Sequence, residues 1–158
     1  MSIGYTPVVI ALLGFFFLWA IVHYSTYQAY WRQIVQLRQQ LTEGLRRLSQ
    51  KIDAFLQTNP ELSSELQQTL RAFVDKSLSI QSAQLANSLE MSYQLMQTCE
   101  THFASQYSAE WQQWLALYDD LARTKAQCFV KIRHYNSLLE GFPATWFAKL
   151  TGFKKAWV

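Results

Sequence analysis

Three histidines, two cysteines and one adjacent acid pair are the residues best suited to chemistry in this chain of 158 residues. His23, His102 and His134 could hold a metal or move protons. None lies in the Glu-x-x-His or His-x-x-x-His spacing that puts ligands on one helix face, so neither a di-iron bundle nor a zinc helix is indicated. Glu100 and His102 stand two positions apart, which turns them to different faces. Cys99 and Cys128 lack Cys-x-x-Cys partners and sit in apolar stripes, where a thiol behaves as a small hydrophobe. Asp119 and Asp120 are neighbours, and adjacent helical side chains diverge, so they are not set to share a proton or a cation. There is no phosphate-cradling glycine loop and no nucleophile elbow. The expectation is a protein that is not an enzyme, with no cofactor, no metal and no small-molecule substrate.

The elements behind these residues come from composition and spacing. Five glycines and three prolines are too few for an all-β protein or a nucleotide-binding α/β protein. No Asp, Glu, Lys or Arg precedes Arg32. The net charge of +3 is an average over three regions. Residues 25–51 carry five basic groups against Glu43, a net of +4. Residues 52–141 carry six basic and ten acidic groups, a net of −4, and residues 142–158 carry three lysines and no acid. A nucleic-acid binder carries its basic stripe across the folded domain, so nucleic acid is not an expected partner.

Ile3 to Val22 is free of charge and almost wholly apolar. About twenty helical residues span a bilayer's hydrocarbon core of about 30 Å. Tyr5 at one end, and Tyr24, Tyr27, Tyr30 and Trp31 at the other, suit the headgroup layers. Pro7 fits a first helical turn. A cleaved signal peptide would have a basic start and a small-x-small site, and both are missing. Residues 1–31 therefore read as a transmembrane anchor. Arg32, Arg38, Arg46 and Arg47 follow the span and no Lys or Arg precedes it. The positive-inside rule puts the N-terminus outside and the rest in the cytoplasm. A cysteine at Ser49 should then resist a membrane-impermeant thiol reagent in intact cells.

The remainder has helical period throughout, which predicts an all-α fold. Ile34, Leu37, Leu41, Leu45, Leu48, Ile52 and Phe55 mark one face, so the first helix should run from about Pro7 to Leu56. Asn59-Pro60 punctuates, with Pro60 opening the next helix. Leu62, Leu66, Leu70, Phe73, Val74 and Leu78 follow, then a serine-rich patch around Ser79 and Ser82 that suggests a break. Leu85, Leu89, Tyr93, Met96, Cys99 and Phe103 form another stripe. Ser105 to Ser108 should be a loop with Ser108 as N-cap. A last long helix takes Trp111, Trp114, Leu115, Tyr118, Leu121, Cys128, Ile132, Tyr135 and Leu139, ended by Gly141 and Pro143. An antiparallel up-down bundle over residues 32–141 would bury these stripes. Four soluble helices are favoured over three, because an unbroken 60–104 helix of about 67 Å would overshoot the roughly 42 Å of residues 30–57. Seventeen glutamines dress the polar faces.

Near the end of the last helix, Tyr135-Asn136, Phe142-Pro143, Ala148 and Gly152-Phe153-Lys154 resemble the closing signature of the LemA family. In that signature a Phe-Pro pair follows the Asn by six residues and a Gly-Phe pair comes later. Pro60 and Leu62 align with the Pro-x-Leu that opens the family's second helix. The specific part covers about twenty residues. Cys128-Phe129 stands where the family has a second Tyr-Asn, Thr145 stands for an Asn, and Ala156-Trp157-Val158 replaces acidic and aromatic residues. The resemblance implies a divergent member: a bacterial inner-membrane protein with one pass, a cytoplasmic helical domain and no settled biochemical activity. One branch of the family is linked to building magnetosome membranes.

Residues 142–158 form an aromatic-basic tail. Trp146, Phe147, Lys149, Phe153, Lys154, Lys155 and Trp157 suit an anionic leaflet, with rings at the acyl boundary and lysines toward headgroups. The same aromatics would also serve to cap the bundle core. Tyr135 and Asn136 have two readings as well, internal packing with a buried hydrogen bond or a partner-recognition patch. The function expected is a non-catalytic membrane-anchored scaffold or membrane-organising module. Its partners would be the bilayer and a protein, self-association included. The alternative is a regulatory or sensory subunit of an integral-membrane protease or transporter.

Overall fold

Helical period in the sequence becomes helix in the computed structural model, which describes residues 5–78, 85–140 and 144–157. The side chains of Leu78, His102 and Ser108 lie outside the described residues, as do Ser79, Ser82, Gly141, Phe142 and Pro143. Five helices and no strand occur among the described residues: α1 (Thr6–Thr58), α2 (Ser64–Leu78), α3 (Leu85–Gln106), α4 (Ser108–Leu138) and α5 (Ala144–Thr151). The chain divides into two compact units, Gln36–Phe129 and Met1–Val35 with Val130–Trp157. The segment that composition alone sets apart as a tail thus shares a unit with the apolar stretch of α1.

In the Gln36–Phe129 unit, α1 contributes Leu41, Leu45, Leu48, Ile52, Phe55 and Leu56 to the core. These recur at three and four, as one buried helix face requires. Each such side chain, fully buried, contributes about 1.5–3 kcal/mol. Gly44 lies in this face, and a Cβ there would stand 2.7 Å from Leu121 Cδ2 of α4. Its missing side chain therefore lets α4 come close. Ser49 is also fully buried, so a cysteine there would escape labelling on either side of a membrane. The exposed Gln50 is the usable position.

Two helix starts differ from expectation. α2 begins at Ser64 rather than Pro60. The Asn59 N–H and Nδ2 both donate to Phe55 O at 3.1 Å, which closes α1. Proline disfavours helix in the residue before it. A turn over residues 60–62 follows, and Ser63, whose carbonyl accepts Gln67 N–H at 3.0 Å, takes the N-cap place. The loop expected over Ser105–Ser108 shrinks to Tyr107. Tyr107 N–H donates to Phe103 O at 3.0 Å, and its carbonyl accepts Trp111 N–H at 2.9 Å. It is at once the end of α3 and the cap of α4. Aromatic packing holds this corner: the Phe55 ring lies 5.4 Å from Phe103, 5.1 Å from Tyr107 and 5.2 Å from Trp114.

α3 presents a slightly rotated face. Leu85, Leu89, Leu95, Met96, Cys99 and Phe103 are buried with Ser88 and Ser92, while Tyr93 is outside. Ser92 Oγ donates to Leu89 O at 2.7 Å, which meets the demand of a buried hydroxyl. Tyr93 takes a surface hydrogen bond from Gln97 Nε2 instead. α2 packs on α3, bringing in Leu70, Phe73 and Val74.

Cys99 and Cys128 are both fully buried. Burial pushes the Cys99 thiol up to about 12 and also raises Cys128, against which Arg38 acts in the lowering direction. At pH 8 neither thiol of the native chain should react with Ellman's reagent, and both should react after denaturation. A fast native reaction would contradict the packing. A thiol raised in the folded state stabilises below its unfolded value near 9. That contribution fades as pH climbs toward about 12, so stability should fall across that alkaline window.

Candidate functional site

The other unit holds the apolar stretch. Val8, Ile10, Leu13, Phe15, Phe17, Leu18 and Val22 all present half or more of their surface. An 18-residue window of α1 reaches a mean hydropathy of 2.1 with none of it buried. By length and composition α1 can cross a membrane, and among the described residues it is the one helix that can.

Where this stretch ends, α1 presents Trp19, His23 and Tyr27 at intervals of four, one above the other on a face. The Trp19 and His23 rings are 4.2 Å apart, and His23 lies 5.9 Å from Tyr27. The C-terminal segment sits on this ladder. Phe147 packs edge-on to Trp19 at 5.7 Å and lies 6.2 Å from Tyr27. Phe153 lies 5.5 Å from both Tyr24 and Tyr27. Tyr27, expected in a headgroup layer, is fully buried because these two rings cover it. Its hydroxyl donates to Leu138 O at 3.2 Å, a carbonyl that the end of α4 leaves without a helical partner. One turn on, Trp31 meets Tyr135 at 5.8 Å, and Tyr30 meets His134 at 4.9 Å with Lys131 over its face.

α4 closes with short-range bonds, Leu139 N–H to Asn136 O and Glu140 N–H to Ser137 O. It ends at Leu138, ahead of the expected stop at Gly141. α5 then forms and stops at Thr151. Gly152 follows with φ of 78°. This left-handed position is the usual place of glycine just past a helix, since a Cβ is strained there. Beyond it the chain returns to α4. Asn136 Nδ2 donates to Ala156 O at 2.9 Å, and Ala156 N–H donates to Asn136 Oδ1 at 2.8 Å. The amide thus pairs with one residue's backbone as a strand neighbour would. Turned over, it would face donor to donor. Lys155 Nζ reaches Glu140 Oε1 at 2.8 Å and holds that carboxyl below its usual range, although both groups are exposed.

The residues singled out from the sequence therefore divide. Phe147 and Phe153 face inward with Ala148 and Ala156, and Lys155 pairs with Glu140. Trp146, Lys149, Lys154 and Trp157 face outward, joined by Leu150, which composition did not mark. Asn136 is a clamp and Gly152 a helix stop. The Tyr135 hydroxyl is buried without a hydrogen-bond partner among the described residues. Burial raises its pKa, with the nearby Tyr27 adding to the effect. Tyr135→Phe should thus cost nothing or stabilise by about 1 kcal/mol, since an unpaired buried hydroxyl is a net cost. Thermal unfolding of the full chain in detergent reads this. A loss above about 1 kcal/mol would show that the hydroxyl has a partner.

Among the described residues no group of three or more His, Cys, Asp or Glu could hold a metal ion. A polar groove in the Gln36–Phe129 unit mixes Glu43 and Asp120 with Arg47 and Arg123, so it offers no single charge to a ligand. No family model, curated protein or solved structure matches the chain.

Proposed function

We propose that the chain is a non-catalytic membrane-anchored helical protein acting as a scaffold or membrane-organising interaction module. The observation that carries this reading is the unburied apolar stretch of α1, which continues without a break into a packed helical unit. Large apolar surface left open on a folded chain calls for a lipid or protein cover. The positive-inside distribution favours an N-terminus outside and the helical unit in the cytoplasm of a bacterial inner membrane.

The reading extends to an antiparallel four-helix bundle. Contacts between α1 and α4 support it within each unit, where partner numbers fall on one helix as they rise on the other: Phe55 with Trp114 and Gly44 with Leu121 in the Gln36–Phe129 unit, and Trp31 with Tyr135 and Tyr27 with Leu138 in the other. Kinship with LemA proteins is part of the same proposal. Its support is that Asn136, Gly152 and Phe153, all positions of the signature, each have a distinct structural task.

Two measurements test the reading. The chain should stay with membranes through alkaline carbonate extraction, and release into the soluble fraction would sink the anchor. A Gln50→Cys chain should resist an impermeant thiol reagent until lysis, and labelling in intact cells would invert the orientation. Proximity labelling from the helical unit then separates scaffold from subunit. A single stoichiometric integral-membrane partner would favour a regulatory subunit of a protease or transporter.

A further inference from the structure

α5 has two apolar faces, and the fold uses one of them. Phe147 and Ala148 point inward to the α1 ladder, whereas Trp146 and Leu150, one turn apart, leave about two-thirds of their surface open at 66% and 65%. Trp157, a few residues on, is 73% exposed. Lys149 stands beside the open pair and Lys154 close by, both exposed, and no acid occurs from Ala144 to Trp157. Packing does not account for this outer face, because most of its surface is left open.

The seat says what covers it. Phe147 rests on Trp19, inside the charge-free stretch, and Phe153 on Tyr24, just past Val22. α5 is thus fastened at the level where the apolar stretch gives way to polar chain. We propose that the outer face of α5, with Trp157, lies in the headgroup–acyl boundary of an anionic leaflet, with Lys149 and Lys154 toward the lipid phosphates. Amphipathic rings at the acyl boundary with lysines above them are the arrangement an anionic surface selects. The C-terminal segment then acts as a second, charge-selective contact with the membrane beside the span. This inference rests on α1 being a membrane span.

The test uses the full chain in vesicles of phosphatidylcholine with or without phosphatidylglycerol. An environment-sensitive nitrobenzoxadiazole probe is placed at Leu150→Cys in one preparation and at Phe16→Cys in another. The chain without an added cysteine serves as blank, since Cys99 and Cys128 are buried. Quenching by lipids brominated along the acyl chain reports depth. The Phe16 probe should be quenched in both lipids, and the Leu150 probe strongly only with phosphatidylglycerol present. Lys149→Glu with Lys154→Glu should weaken that second signal, by at least about fivefold in partition at each site, since each change removes a positive charge and adds a negative one. Three results would overturn the proposal. An unquenched Leu150 probe beside a quenched Phe16 probe would leave the span intact and assign the α5 face to water or protein. Equal quenching with and without anionic lipid, in parent and charge-reversed chains alike, would remove the charge selectivity. An unquenched Phe16 probe would remove the span and the inference with it.

Discussion

Trp114→Ala should cost about 3–5 kcal/mol, the usual range for deleting a large buried aromatic ring. Small domains hold about 5–15 kcal/mol in total, so the helical unit should melt far earlier or fail to fold. Trp114 is buried, with its ring 5.2 Å from both Phe55, edge-on, and Phe103, tilted. Its loss removes its own burial and two aromatic contacts, each worth about 0.5–1.5 kcal/mol beyond area. It also loosens the one-residue corner at Tyr107, whose ring packs on the same Phe55 and Phe103. Helical ellipticity against temperature, with the full chain in detergent, measures the effect. Trp157→Ala is the control. That ring is exposed, so the melting curve should stay where it is. Equal shifts for the two variants would refute the aromatic core described for this unit.

Asn136→Leu should detach the segment around Ala156 without unfolding the helices. The amide makes two hydrogen bonds to one backbone unit, each worth about 0.5–1.5 kcal/mol net. Ala156 is buried, so both of its backbone groups would otherwise be left dry and unpaired. Release into water is the cheaper outcome. Trypsin should then cut after Lys154 and Lys155 at least tenfold faster, the equivalent of about 1.4 kcal/mol of lost protection. Asn136→Asp should fall between the two, since a carboxylate accepts from the Ala156 N–H but cannot donate to its carbonyl. Unchanged cleavage in Asn136→Leu would show that Phe147 and Phe153 hold the segment without the clamp.

Much of the helical layout can be read from the sequence because period is a local property. Ile34 to Phe55 repeat at three and four with no proline among them, and α1 runs through them, Gly44 included, unbroken. Boundaries are harder, because one residue can serve two elements. Asn59 caps α1, which leaves Ser63 to cap α2, whose first residue, Ser64, comes four residues later than proline placement suggests. Tyr107 turns the chain by itself, since the aromatic rings around it supply what a loop composition usually signals. α5 is too short, at eight residues, for period to be visible. The site was legible as a composition of rings and lysines. Its division into inner and outer faces was not, because Asn136 finds its partner in the backbone of Ala156, twenty residues away. A backbone acceptor has no letter in the sequence.

The hydrogen bond from Tyr27 to Leu138 has a consequence in time. Its two residues are 111 positions apart. At synthesis rates of about 5–20 residues per second, the Tyr27 hydroxyl is made roughly 6–22 s before its acceptor. The ladder of Trp19, His23 and Tyr27 therefore exists on every nascent chain as an open aromatic surface. It closes only when Phe147 and Phe153, which follow Leu138, have also been made and have folded back onto it. A chain truncated before Leu138 lacks the carbonyl acceptor and both covering rings, and keeps that surface open.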